Sequence, residues 1–426
     1  MATTTTGRSR PSTTAPPADD TAAAPRGFAA RVSLGRVFAP VPSEFLLIAS
    51  TALILTGFGL VMVLSATMAE SLSKGESPFE VVMKQAAFAI IGIPLMFIAS
   101  RLPVAFWKKM AWPALIITMA FQLLVFVPGI GVNNDGNTNW IRLAGLQMQP
   151  SEFLKLSLAL WLGYVMYRKR NLLRLWRHVF IPVVPVGALV IGVVAVGSHD
   201  LGTGLILMAI LLGCLFFSGV RLRLFVIPLV LVIGAAAVFA VTSPNRMRRI
   251  MSFLDVDSTS CYDSTCYQPL HGIWGLAGGG IFGLGLGNSR EKYGWLPAQS
   301  NDYIFAILGE ELGLIGCLVV LALFTLFAVG AFHVIRKTHD PFIRIVAGGI
   351  TVWIVGQALI NIGVVLRLFP VLGVPLPFMS QGGTSLLSVL IACGVLLSFA
   401  RTLPPPGSVP PPADIARSPR STVRGR

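Results

Sequence analysis

The chain has 426 residues, of which 54% are apolar and 12% charged, with 43 glycines and a formal charge of +15. Soluble domains carry about a quarter charged residues, so this composition excludes an ordinary soluble enzyme and points to a membrane protein. Nucleic-acid binding is excluded too, because the basic residues sit in short clusters between apolar runs rather than in one patch with interleaved aromatics.

Residues 1–43 are rich in Thr, Ala and Pro, carry Arg8, Arg10, Arg26, Arg31 and Arg36, and have no apolar run before Phe45. They read as a disordered basic tail, not as a cleavable signal peptide. Apolar segments follow near 44–66, 79–99, 111–130, 150–167, 179–197, 201–220, 224–243, 303–333, 346–366 and 383–400. Segments of this length suit a ~30 Å hydrocarbon core. The expectation is an all-α polytopic membrane protein with about ten transmembrane helices over 44–401, a large exterior loop over 244–302 between helices 7 and 8, and a disordered Pro/Arg-rich tail over 402–426.

With the N-terminus placed in the cytoplasm, inside segments hold 23 of the 33 Lys and Arg residues and outside segments hold nine, while Lys155 lies within a helix. This asymmetry predicts that both termini are cytoplasmic. The 244–302 loop is far longer than a helix connection needs, which marks it as functional. It contains Cys261 and Cys266, for which an oxidising exterior permits a disulfide, whereas Cys214, Cys317 and Cys393 lie in apolar runs as small buried side chains. No duplicated halves are visible.

Ionisable residues inside a bilayer are costly and mark function by default. Glu152 and Lys155 open the fourth apolar segment with i,i+3 spacing, which places them on one helix face. Two readings fit: an ion pair that locks two helices, or a pair lining a polar substrate cavity. Glu310 and Glu311 lie eight and nine residues beyond Asp302, ~12 Å deeper along a helix. Adjacent positions point about 100° apart, so at most one shares a cavity with Asp302. Asp302 itself ends the exterior loop at a predicted helix N-terminus, where it is either a cap or a general base.

Gly278-Gly279-Gly280-Ile281-Phe282-Gly283 formally matches a dinucleotide fingerprint, but no strand precedes it. The glycine-rich run from Gly275 to Gly287 instead predicts a re-entrant or interfacial segment packed closely on the bundle. Arg246, Arg248 and Arg249 are cations on the exterior side, suited either to lipid head groups in general or to an anionic ligand such as a lipid phosphate. No H-E-x-x-H, Cys cluster, G-x-S-x-G or Walker sequence occurs, so no metal site is assigned and an ATPase site is excluded.

Together these motifs resemble the SEDS family of polytopic peptidoglycan polymerases, which contains FtsW, RodA and SpoVE. The resemblance spans about 45–401. It rests on Trp140-Ile141-Arg142-Leu143, Gln149-Pro150-Ser151-Glu152, Asp200-Leu201-Gly202-Thr203, Gly283 through Arg290 with Lys292 and Leu296-Pro297, Asp302-Tyr303-Ile304-Phe305-Ala306, Gly309-Glu310-Glu311-Leu312-Gly313, Asn361-Ile362-Gly363, and Pro375 through Ser385. The Gly-Leu-Gly-Asn-Ser-Arg stretch and the run at 59–66 are more similar to the FtsW branch than to RodA.

The resemblance implies an inverting glycosyltransferase that polymerises lipid II on the outer face of the cytoplasmic membrane during cell division. It would work beside a class B penicillin-binding protein and other division proteins. Asp302 would be catalytic; Glu152, Lys155, Lys84, Glu310, Arg246, Arg248 and Arg249 would serve the substrate. No tightly bound cofactor is implied, and a divalent cation at the leaving diphosphate stays open. The competing expectations are a lipid II flippase and a non-catalytic division scaffold. This sequence also departs from the family pattern: Ala298-Gln299-Ser300-Asn301 and Tyr303 stand where relatives commonly have Glu-Ala-His-Thr and Phe, Gln381 stands where Tyr is frequent, and the Cys261/Cys266 insert is unusual.

Overall fold

The computed structural model describes residues 1–3, 42–73, 75, 77–134, 137–143, 145–173, 175–221, 223–226, 229–230, 234, 247, 250–251, 253 and 266–403. The chain divides into two units, Met1–Pro40 and Val41–Arg426. Only residues 1–3 of the first are described, and the predicted tails at either end lie almost wholly outside the described residues.

Eleven helices are described: α1 Ser43–Ser73, α2 Pro78–Ala99, α3 Val104–Leu123, α4 Ser151–Arg168, α5 Trp176–Gly192, α6 Leu201–Phe217, α7 Tyr267–Gly279, α8 Ile304–Lys337, α9 Pro341–Thr351, α10 Gln357–Val365 and α11 Gly383–Ala400. π turns extend α5 over Val193–Gly197 and join α9 to α10 over Val352–Gly356. Helix starts follow local chemistry. Pro78 and Pro341 occupy first-turn positions whose missing N–H is not needed, and Asp200 and Asp340 accept from the amides of Thr203 and Phe342, each at 2.9 Å.

Nine of the ten predicted apolar segments are helical, and the tenth, 224–243, lies mostly outside the described residues. Among the described residues, seven helical stretches are long and apolar enough to cross a membrane: Ser43–Ser73, Phe79–Ala99, Val104–Phe126, Trp176–Gly197, Ile304–Lys337, Pro341–Val365 and Gly383–Ala400. Leu201–Phe217 is apolar but shorter. α4 is the centre of the bundle, packed against α3, α6, α9 and α11 and buried on nearly every side. Small residues allow this closeness. A Cβ on Gly394 of α11, for example, would stand 2.6 Å from the Met96 carbonyl of α2.

The architecture is not purely helical. Residues 131–148 form a three-stranded antiparallel sheet, β1 Gly131–Asn134, β2 Asn137–Leu143 and β3 Leu146–Met148, in which Val132 faces Trp140 and Ile141 faces Met148. Its sequence signal was the Asp135-Gly136 hairpin dipeptide between two runs of strand-compatible residues.

The second departure is inside α8, which breaks at Gly313 (φ 66, ψ −166). A break there orphans the carbonyls of Glu310 and Glu311 and the amides of Leu314 and Ile315. The glycine-rich segment beyond α7 takes up all four groups. Leu284 N donates to Glu310 O (3.0 Å) and Gly285 N to Glu311 O (2.9 Å), while Leu314 N donates to Gly280 O (2.9 Å) and Ile315 N to Ile281 O (3.2 Å). The run therefore splices the broken helix as a closely packed insert, and it has no dinucleotide-binding context. A side chain on Gly283 would overlap the Glu311 carbonyl, so contact as well as its φ of +81° requires glycine.

Candidate active site

Asp302 lies two residues before the start of α8, half-buried, in a turn held by α1, α10 and the 380–381 turn. Gln299 Nε2 donates to Ala66 O in α1 (3.0 Å). Ser300 Oγ donates to Gln381 Oε1 (2.6 Å), and Gln381 N returns a bond to Ser300 O (2.8 Å). Ser380 Oγ donates to Asn301 O (2.5 Å), and Asn361 Nδ2 donates to Asp302 O (2.7 Å). The carboxylate itself is flanked by the segment after α10, since a Cβ on Gly373 would stand 3.7 Å from Asp302 Oδ2.

That flanking segment is suspended on α10. Asn361 Nδ2 also donates to Val374 O (2.7 Å), and Gln357 Nε2 donates to Pro375 O (2.8 Å). Gln357 Oε1 in turn accepts from Lys155 Nζ (3.1 Å) and from Trp353 Nε1 (3.0 Å). Lys155 and Glu152 form a fully buried ion pair at 2.9 Å, each about 1% exposed, and Glu152 Oε2 accepts from Ser388 Oγ of α11 (3.3 Å). A continuous polar chain thus runs from Ser388 through Glu152, Lys155 and Gln357 to the segment beside Asp302. Glu152 and Lys155 lock α4, α10 and α11 together and reach Asp302 through that chain, not by contact.

The other predicted residues occupy different places. Lys84 is exposed and pairs with Glu80 one turn earlier at 2.8 Å. Its neighbour Gln85 is buried and holds the 380–382 turn, donating to Ser380 O (3.3 Å) and accepting from Gly382 N (3.1 Å). Glu310 is anchored in the loop, accepting from Ser289 Oγ (2.5 Å) and from the amides of Arg290 (2.9 Å) and Glu291 (3.3 Å). Glu311 pairs with the buried Lys292 at 3.0 Å, and Ser65 of α1 donates to it at 2.6 Å. The two adjacent carboxylates share Ser289, whose hydroxyl donates to Glu310 and whose amide donates to Glu311 (3.4 Å), and both fasten the 288–292 segment. Arg246, Arg248 and Arg249 lie outside the described residues, as does Cys261; Cys266 is disulfide-bonded.

Asp200 fastens the sheet to α6, accepting from Asn139 Nδ2 (2.8 Å), Gln149 Nε2 (3.1 Å) and Thr203 Oγ1 (2.8 Å). Behind it Gly202 meets the Leu372 carbonyl, which joins this corner to the segment beside Asp302. Among the described residues, positive φ in a non-glycine residue occurs at His199, Ala298, Arg367 and Phe378 (57°, 52°, 55° and 66°). Ala298 lies in the turn that ends at Asp302, and such strain gathers where surrounding structure over-determines a site.

Gln357, Asn361, Ser380 and Gln85 were not among the sequence-derived site residues. A signal existed: Gln357 and Asn361 are polar residues four apart in an apolar run, hence on one helix face. Weighing only ionisable residues passed over them.

The FtsW/RodA/SpoVE family, described as cell cycle protein, matches residues 45–403. The chain belongs to this family. It is 37% identical over 371 residues to the probable peptidoglycan glycosyltransferase FtsW of Mycobacterium tuberculosis, covering 87% of this chain and 70% of that one. It is 34% identical over 360 residues to the stage V sporulation protein E of Bacillus subtilis, covering 84% and 97%. Among solved structures, the rod shape determining protein RodA of Thermus thermophilus superposes with a TM-score of 0.62 at 22% identity, covering 86% of this chain and 98% of that one. A chain from a peptidoglycan synthase complex that coordinates polymerization and crosslinking gives 0.66 at 22% identity, covering 83% and 96%. These two likenesses establish the polytopic fold.

Proposed function

We propose that this chain is a peptidoglycan glycosyltransferase of the FtsW branch that polymerises lipid II at the outer face of the cytoplasmic membrane, with Asp302 as general base. The observation that carries the reading is the convergence of α1, α10 and the 380–381 turn on the four residues ending at Asp302. Holding a backbone this firmly beside a half-buried carboxylate suits a group that must meet a hydroxyl within hydrogen-bond reach.

In the inverting transfer, Asp302 takes the proton of the acceptor sugar hydroxyl as its oxygen attacks the anomeric carbon. The bond to the diphosphate breaks on the opposite face, and the electron pair leaves with that diphosphate. Arg246, Arg248 and Arg249 are assigned to the diphosphate by charge, and Glu152 with Lys155 to organising the cavity floor through Gln357. The names of the relatives support the activity, and the likeness to a chain of a synthase complex supports a class B penicillin-binding partner. Both termini are assigned to the cytoplasm and the protein to the division septum.

The test is polymerisation of lipid II by the purified full-length protein with its partner, comparing wild type, Asp302→Ala and Asp302→Asn with and without added divalent cation. Loss of glycan polymer in both variants is expected. Undiminished polymer from Asp302→Ala would overturn the reading, and translocation of lipid II without polymer would favour a flippase.

A further inference from the structure

We propose that Ser300 and Gln381 act as one positioning unit that sets the height and orientation of the Asp302 carboxylate. The inference rests on the reading of Asp302 as the base.

Ser300 is held at two points by the same residue. Its hydroxyl donates to the Gln381 side-chain oxygen at 2.6 Å, and its carbonyl accepts from the Gln381 amide at 2.8 Å. The two residues are 81 positions apart, and Ser300 is only 5% exposed. The ties from Gln299 to Ala66 O, from Ser380 to Asn301 O and from Asn361 to Asp302 O each join one side chain to a backbone carbonyl; the tie at Ser300 is reciprocal and includes a side-chain pair. Two anchor points fix orientation where one fixes only distance.

The anchor is itself immobilised. Gln381 sits between Ser380, which holds Asn301 O and accepts from Leu376 N at 2.7 Å, and Gly382, whose amide donates to the buried Gln85 of α2. Loss of the side-chain bond leaves the Gln381 amide on Ser300 O, Ser380 on Asn301 O and Asn361 on Asp302 O, so the turn keeps its place but loses the second point that fixes its orientation. The predicted result is rotation of the Asp302 side chain without unfolding of the turn.

The experiment is lipid II polymerisation by full-length Ser300→Ala, Gln381→Ala, the double variant, Ser300→Thr and Asp302→Ala, each with its partner and each checked by thermal unfolding in detergent. A misplacement of about 1 Å costs up to a hundredfold in rate, so each alanine variant is expected to lose roughly ten- to a hundredfold in kcat with KM unchanged. The double variant should lose no more than the worse single variant, and Ser300→Thr should keep most activity. Multiplying losses, unchanged kcat, or a fall in melting temperature with unchanged kcat would each overturn the proposal. An inactive Asp302→Ala beside a fully active Ser300→Ala would sink the pair alone. An active Asp302→Ala would remove the base reading and the pair with it.

Discussion

The side-chain amide of Asn361 donates to the backbone carbonyl of Asp302 at 2.7 Å, and the same nitrogen reaches the Val374 carbonyl at 2.7 Å. One buried residue of α10 thereby clamps the Asp302 backbone to the segment that flanks its carboxylate. Asn361→Leu would remove the donor that these two carbonyls share, at about 1–3 kcal/mol for a buried group left unsatisfied. The expected outcome is a lower melting temperature in detergent and at least tenfold less glycan polymer. Wild-type values in both measurements would show that the clamp does not matter.

The Lys292–Glu311 pair predicts a different pattern. Its side chains are 1% and 0% exposed, so removing one partner leaves an uncompensated buried charge. Lys292→Met alone is expected to destabilise by about 3–5 kcal/mol. Combining it with Glu311→Gln should cost clearly less than the two single losses added, because the second change removes the stranded charge. Strict additivity in thermal unfolding would argue against a coupled pair.

The spliced helix can be tested by comparing two glycines of nearly equal backbone angle. Gly283 and Gly287 have φ of +81° and +82°, but only Gly283 lies against backbone, with a Cβ there 2.6 Å from Gly313 N; around Gly287 the space is open. Gly287→Ala should therefore cost only the left-handed strain, about 1–2 kcal/mol. Gly283→Ala should cost more and speed amide hydrogen exchange at Leu284, Gly285, Leu314 and Ile315. Equal effects of the two substitutions would count against the splice.

The segment between α7 and α8 also carries a pH-dependent term. Burial pushes the Glu291 carboxyl above its ordinary value, partly opposed by the His271 ring at 2.6 Å, with the Glu310 carboxylate adding a further upward push. The folded state then binds the proton more tightly than the unfolded chain. Stability from this group is fully present below the ordinary carboxylate value and is lost as pH rises through the raised one. Glu291→Gln should flatten the dependence of melting temperature on pH in that acidic window. A slope identical to wild type would rule out this contribution.

Much of this molecule was legible in its sequence. The positions of nine helices follow from hydrophobic length, a local property, and Asp302, Glu152, Lys155 and Glu310 stood out as ionisable groups in or beside apolar runs. Two further features can be read there: the Asp135-Gly136 dipeptide between strand-compatible runs, and Gln357 and Asn361 four apart on one helix face. The break at Gly313 was less accessible. A glycine within an apolar run is tolerated in many membrane helices, and only the docked 280–285 segment shows why this one interrupts the ladder.

By itself the sequence determined the class of protein, the placement of its apolar helices and the short list of charges that a bilayer would not accept without compensation. Tertiary structure decided which partner each of those charges took. Glu311 found Ser65 across 246 positions, Glu152 found Ser388 across 236 and Ser300 found Gln381 across 81. The reason is physical: in an apolar interior every buried polar group must be satisfied, yet the obligation names no partner, and the choice falls to whichever side chain the packing of the helices brings within about 3 Å.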